Sequence, residues 1–142
     1  MSPTFNERDN VDEFLQRVLA AVPSADVFIV DDNSPDGTSQ IAKEVADRLG
    51  RIKVMTRTAN RGYAAASRDA MRAAISDNYE VIATMDADFS HDPTVLEQLI
   101  SRVNENTALV IGSRYVAGGQ VTNWSLFRRL LSRWGNLYTA FC

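Results

Sequence analysis

Apolar and polar positions alternate along this chain between two periods, one near 3.6 and one of short continuous runs. Val11, Phe14, Leu15, Val18, Leu19 and Val22 recur at helical spacing, and Pro23 ends the stripe. Asn10, with Glu13 three residues on, is the expected cap and box partner of this first helix. Val27-Phe28-Ile29-Val30 is wholly apolar and predicts a buried strand, running at once into Asp31-Asp32-Asn33-Ser34-Pro35-Asp36-Gly37-Thr38. A second helix turns Ile41, Ala42, Val45, Ala46 and Leu49 inward and stops at Gly50. Ile52-Lys53-Val54-Met55 reads as another strand, and Asn60-Arg61-Gly62 opens a loop into an alanine-rich helix ending near Ser76. Val81-Ile82-Ala83 predicts a strand before Thr84-Met85-Asp86-Ala87-Asp88-Phe89-Ser90-His91. Asp92 then caps a helix with Pro93 at its first position and Val95, Leu96, Leu99, Ile100 and Val103 on its core face. Leu109-Val110-Ile111 predicts a last strand, followed by Gly112-Ser113-Arg114-Tyr115 and a Gly118-Gly119 turn.

Short, wholly apolar strands alternating with helices predict an α/β domain with a mostly parallel sheet covered on both faces. Ligands of such sheets lie outside the carboxyl ends of the strands. Three loops at those ends carry polar chemistry: Asp31-Asp32, Asp86-Ala87-Asp88 and Ser113-Arg114. Alone, an Asp-x-Asp fits a loop or a cap as well as a site. Two carboxylate clusters on one sheet edge repel unless a cation or a donor sits between them, which points to a metal and a nucleotide.

Composition narrows the class. The 142 residues are 45% hydrophobic, enough for one globular domain with a core. No apolar run reaches the roughly 20 residues that span a bilayer, and no charged-then-apolar leader opens the chain. The single cysteine, Cys142, leaves no internal disulfide or cysteine-based zinc site and fits a reducing compartment. Neither a Gly-x-x-x-x-Gly-Lys-Ser/Thr nor a Gly-x-Gly-x-x-Gly occurs, and no Gly-x-Ser-x-Gly. His91 is the only histidine; it either touches a phosphate or orders the loop or, the preferred reading, makes a plain structural hydrogen bond in the turn.

Charge is uneven. From Arg114 onward the chain carries four arginines (Arg114, Arg128, Arg129, Arg133) and no acid, leaving 11 basic against 18 acidic residues before it. The first part is therefore −7 and the tail +4, which suits either a solvated helix face or an anion such as a phosphate or a membrane surface. Phe127, Leu130, Leu131, Trp134, Leu137 or Tyr138, and Phe141 recur at three- and four-residue steps. They predict an amphipathic helix over 124–142 that packs on the sheet, meets a bilayer, or does both.

Five motifs in order carry a resemblance: Pro3-Thr4-Phe5-Asn6-Glu7, Val30 to Thr38, Asn60-Arg61-Gly62, Asp86 to Pro93, and Gly112-Ser113-Arg114-Tyr115. Together they resemble the inverting family 2 glycosyltransferases, and within these the dolichol-phosphate (polyprenol-phosphate) mannose synthases. The resemblance implies a GT-A fold, a nucleotide-sugar-binding Rossmann-like sandwich, over 1–142. It implies transfer of mannose from GDP-mannose to a dolichyl or polyprenyl phosphate, with Mg²⁺ or Mn²⁺ as cofactor. Pro3, Phe5 and Glu7 would help seat the guanosine, with Phe5 where tyrosine is usual, and Asp31 and Asp32 would lie near base and ribose. Asp86, Ala87 and Asp88 would bind the donor, with Asp86, Asp88 and Ser90 at the metal. Arg114 and Arg128 would hold the acceptor phosphate, so that Asp88, Arg114 and Arg128 are the catalytic set.

The same resemblance implies a peripheral enzyme on the cytosolic face of a membrane, touching it through 124–142, with no nucleic-acid partner. Other family 2 donors or acceptors, such as UDP-glucose or a polysaccharide, and a non-catalytic sugar-nucleotide-binding module remain alternatives. Tyr63-Ala64 departs from the more frequent Leu-Gly. Relatives run a hydrophobic strand into the Pro-Thr-aromatic-Asn-Glu motif, where this chain has Met1-Ser2, and Cys142 falls within a continuing helix. The expectation is a domain shortened at both ends, lacking the first strand. If the chain is complete, low stability, edge-strand pairing or a homo-oligomer is expected.

Overall fold

The computed structural model describes residues 1–116, 119 and 125–141. Its contacts divide into two compact units, Met1–Val110 and Ile111–Cys142.

The first unit is built on a parallel sheet of order β1-β2-β3, with β1 at Ser2–Thr4, β2 at Val27–Asp31 and β3 at Ile52–Thr56. Ser2 pairs with Ile29, and Val27 with Ile52. All five β2 residues are buried, as a central strand covered on both faces requires. Helices α1 (Arg8–Ala21), α2 (Thr38–Leu49) and α3 (Tyr63–Ser76) come after the three strands in turn. The larger core joins Val11, Phe14, Leu15 and Val18 of α1 to Val27 and Ile29, and to Ala42 and Val45 of α2. On the opposite face, Val30 packs with Ala66 and Ala70 of α3, whose small side chains permit close approach.

A strand does form at the start of the chain, though only three residues long. Its far side is occupied too: the Met1 nitrogen donates to the Ala83 carbonyl at 2.7 Å, and the Met85 N–H donates to the Met1 carbonyl at 3.2 Å. That bond pattern runs the segment around Thr84 parallel to β1, in the spatial order β3, β2, β1, then residues 83–85. The strand expected at Val81–Ala83 is nevertheless not formed. The next donor facing that segment would come from Pro3, which has no N–H, so the ladder stops after one step.

Other boundaries shift. α1 begins at Arg8 with Glu7 at its N-cap, three residues before the expected cap; Asn10 instead donates to the Glu7 carboxylate at 2.7 Å, and Glu13 pairs with Arg17. Asp92 caps as expected, its carboxylate accepting from the Thr94 N–H, but the helix it opens is divided into a 3₁₀ turn at Pro93–Val95 and a short α4 at Leu96–Ile100. Leu109–Ile111 forms no strand, and Leu109 is 74% exposed: a strand needs a partner for its backbone groups, and among the described residues none is hydrogen-bonded to it.

The second unit holds α5 at Leu126–Phe141, within the helix expected over 124–142. Trp134 and Tyr138 stack at 5.7 Å between ring centres, and the Tyr115 hydroxyl shares a 2.5 Å hydrogen bond with Ser132. Gly118 of the expected turn, Trp124, Cys142 and the Phe141 side chain lie outside the described residues. Among the described residues no helix is long and apolar enough to cross a membrane.

Candidate active site

At the carboxyl ends of β1 and β2 the surface opens into a cleft of about 340 Å³. Pro3, Thr4 and Phe5 form one side, Arg61, Gly62, Tyr63 and Ala66 the other, and Asp32 also lines it. Phe5 and Tyr63 are more than half exposed, so both offer ring surface to a ligand.

Successive residues at a strand end face opposite ways, and the two acids after Val30 divide accordingly. Asp31 is fully buried and does not line the cleft: it accepts from the Thr4 hydroxyl at 3.1 Å, the Ser34 N–H at 2.8 Å and the Ser34 hydroxyl at 2.5 Å. It pins the loop beneath the cleft. Asp32 accepts from the Arg57 guanidinium on one oxygen and from the Gly62 N–H, at 2.5 Å, on the other.

Arg57 carries no motif that would mark it in the sequence. Its guanidinium is buried and also donates to Asp69 at 2.9 Å and to the Asn60 carbonyl at 2.6 Å. Burial opposes its charge, but the Asp32 and Asp69 carboxylates outweigh that and raise its pKa. One cation thus ties the β2 end, the Asn60-Arg61-Gly62 loop and α3 together. Gly62 is required there by its backbone, at φ 123° and ψ 148°, a region open to glycine.

The adjoining loop is sewn down as firmly. Asp36 accepts from the Thr38 N–H and hydroxyl and from the Arg8 N–H, while the Glu7 N–H donates to Thr38 at 2.9 Å. Glu7 itself is half-buried against Asn10 and is not part of the cleft lining.

Past residues 83–85 the chain alternates inside and outside. Met85 and Ala87 are buried, Asp86 is half-buried, and Asp88 and Ser90 are exposed. Asp88 accepts from the Ser90 N–H and hydroxyl, each at 2.9 Å. Partial burial works against its charge, but those two donors and nearby His91 prevail and hold its carboxyl below the usual range. Asp86, Asp88 and Ser90 offer hard oxygen donors, the set a divalent Mg²⁺ or Mn²⁺ takes together with ligand phosphates. Among the described residues no three His, Cys, Asp or Glu side chains converge, so carboxylates alone make no closed cage.

Since the 83–85 segment runs parallel to β1 on the side away from β2, the Asp86–Asp88 loop and the cleft leave the same sheet edge. The chain thus reverses its direction of travel across the sheet between β1 and that segment, the kind of place where open α/β sheets bind ligands. Arg114 and Arg128 belong to the second unit, exposed and engaged in interactions of their own.

The chain is 42% identical over 140 residues to a polyprenol monophosphomannose synthase of Mycolicibacterium smegmatis, covering 98% of this chain and 53% of that protein. It is 38% identical over 133 residues to a dolichol-phosphate mannosyltransferase of Pyrococcus furiosus, covering 92% and 37%. It is 40% identical over 136 residues to an undecaprenyl-phosphate mannosyltransferase of Micrococcus luteus, covering 96% and 56%. The chain thus spans about half the length of these relatives, or less. Residues 1–141 match the family model described as glycosyl transferase family 2, and the chain belongs to that family.

Proposed function

We propose that the protein transfers mannose from GDP-mannose to a polyprenyl or dolichyl phosphate with inversion at the anomeric carbon. The observation that carries this reading is the shared sheet edge: an aromatic-walled cleft beside a buried Asp32–Arg57 pair, and next to it a loop presenting Asp86, Asp88 and Ser90. The names of the three relatives support a lipid-phosphate acceptor and a mannosyl donor.

In this reading Phe5, Pro3 and Tyr63 bracket the base, and Asp32 accepts from it or from the ribose. Asp86, Asp88 and Ser90 would hold a Mg²⁺ or Mn²⁺, which when bound supplies positive charge at the diphosphate. An acceptor phosphate oxygen bonds to the anomeric carbon as the bond from that carbon to the GDP oxygen breaks, and GDP leaves with the electron pair. No proton must be removed, because a phosphate monoester is already mostly ionised near neutral pH. Neither aspartate is asked to act as a base. Arg114 and Arg128 are assigned to the acceptor phosphate, which a guanidinium can grip with two parallel bonds.

The apolar face of α5, with Phe127 and Trp134 exposed and arginines beside them, is assigned to the lipid surface on the cytosolic side. Labelled GDP-mannose, polyprenyl phosphate and Mg²⁺ or Mn²⁺ test the whole. Lipid-linked label that is lost in Asp88→Ala is the expected result. Binding of GDP-mannose with no transfer would instead leave a non-catalytic binding module, and label appearing only from UDP-glucose would move the protein to another donor.

A further inference from the structure

Six non-glycine residues among those described have positive φ: Asn6, Asn33, Asn60, Asn78, Arg51 and Phe89. Asparagine tolerates this region, its short polar side chain bonding locally, whereas a bulky side chain is pushed out by contact of Cβ with the carbonyl oxygen. Phe89, at φ 57°, sits between Asp88 and Ser90, the two residues whose hydrogen bonds close the acidic loop. Something outside the loop must hold it there.

That support is α1. The Phe89 ring meets Phe14 edge to face, with centres 6.4 Å apart and planes at 67°. The Arg17 guanidinium lies 4.9 Å from the ring centre, itself fixed by Glu13 at 2.5 Å. Met85 and Ala87, four and two residues earlier, are buried in the same core cluster, against which Phe89 packs. The loop is therefore anchored inward by alternate apolar side chains, and Phe89 is the last of them before the chain turns.

We propose that Phe89 is a positioning residue: its ring, seated between Phe14 and Arg17, holds the left-handed backbone on which the Asp88–Ser90 hydrogen bonds depend, and so preorganises the carboxylate for a metal-bound nucleoside diphosphate. The second half of this statement rests on the proposed function; the first does not.

Phe89→Asn separates conformation from anchoring, since asparagine accepts the φ while the ring is gone. Phe89→Tyr keeps both ring and φ. Two readouts are needed in each folded variant: the backbone order parameter of Ser90 from ¹⁵N relaxation, and the affinity for GDP in the presence of Mn²⁺ by calorimetry. The expected result in Phe89→Asn is a Ser90 order parameter falling from about 0.85 to below about 0.6, with affinity reduced about tenfold, the size of a 1.4 kcal/mol change. Phe89→Tyr should stay within about twofold of the parent, as a ring-retaining change leaves the anchoring contacts in place. An unchanged Ser90 order parameter in folded Phe89→Asn overturns the proposal, as does a looser loop with undiminished affinity. If the parent protein binds no Mn²⁺-GDP but Ser90 still loosens, positioning stands and the metal-diphosphate reading of the loop falls.

Discussion

Arg57 carries the cleft because its guanidinium meets two carboxylates and a carbonyl from three parts of the chain. Arg57→Met would leave Asp32 buried without its counter-charge, so the urea midpoint should fall well beyond that of Arg48→Met, which breaks an exposed pair with Asp12 worth about 0.2–1 kcal/mol. Gly62→Ala forces a side chain into a glycine-only backbone region and should cost about 1–3 kcal/mol in denaturant unfolding. If the cleft binds GDP as proposed, it should also weaken that binding, because the Gly62 N–H holds Asp32. Asp36 gives the pH signature. Its slight burial raises the carboxyl, but the Thr38 hydroxyl, the Thr38 N–H and the Arg8 N–H lower it further, to a net depression. A depressed carboxyl stabilises the fold above its unfolded value, near 3.9, and the contribution is lost as pH falls through the folded value. Acid titration of Asp36→Asn should therefore show a shallower loss of stability below about pH 4. The sequence displayed Asp31 and Asp32 as a like pair, and only the twofold alternation at a strand end hinted that they serve opposite sides. Arg57 left no such hint, since one arginine between Thr56 and Thr58 has no pattern to stand out from.

Helix α1 does two jobs with one stripe: Val11, Leu15 and Val18 fill the core, and Phe14 both fills it and backs the acidic loop through Phe89. Phe14→Ala should cost about 3–5 kcal/mol, measured by denaturant unfolding, with loosening of the loop as a second consequence. The stripe was plain from its spacing, as were β2 and the alanine face of α3, because buried faces impose strong periodicity. Helix starts were harder: Asn10 reads as a cap by residue type, yet the loop fixed by Glu7, Arg8 and Asp36 begins the helix one turn earlier. Val81–Ala83 and Leu109–Ile111 had the composition of strands, but the first meets β1 only through Ala83 and the second has no backbone partner among the described residues, and pairing is not a property of the run itself.

Across the molecule, charge separates along the chain, acidic before Arg114 and basic after it. If α5 meets an anionic bilayer, the protein should sediment with vesicles containing phosphatidylserine and be released as salt shortens the screening length from about 10 Å at 0.1 M to about 3 Å at 1 M. Vesicles of neutral lipid should retain only the part due to Phe127, Leu130 and Trp134. The family resemblance was legible from five short motifs, yet which of their residues share one cleft was not, because Pro3, Asp32 and Gly62 meet only once three parallel strands are registered.

The two hydrogen bonds between Met1 and residues 83–85 join points 82 and 84 residues apart, beside a strand of only three residues. Contacts of such separation are expected to form late, after β2 and β3 have paired through the shorter α2 crossover. The join between β1 and residues 83–85, which sets the acidic loop beside the cleft, should therefore be among the last features completed when the chain folds. If a nucleotide binds there as proposed, it meets little of its site at the folding barrier. GDP should accordingly leave the refolding rate nearly unchanged and slow unfolding, so that the ligand works as a latch fastened after the door has closed.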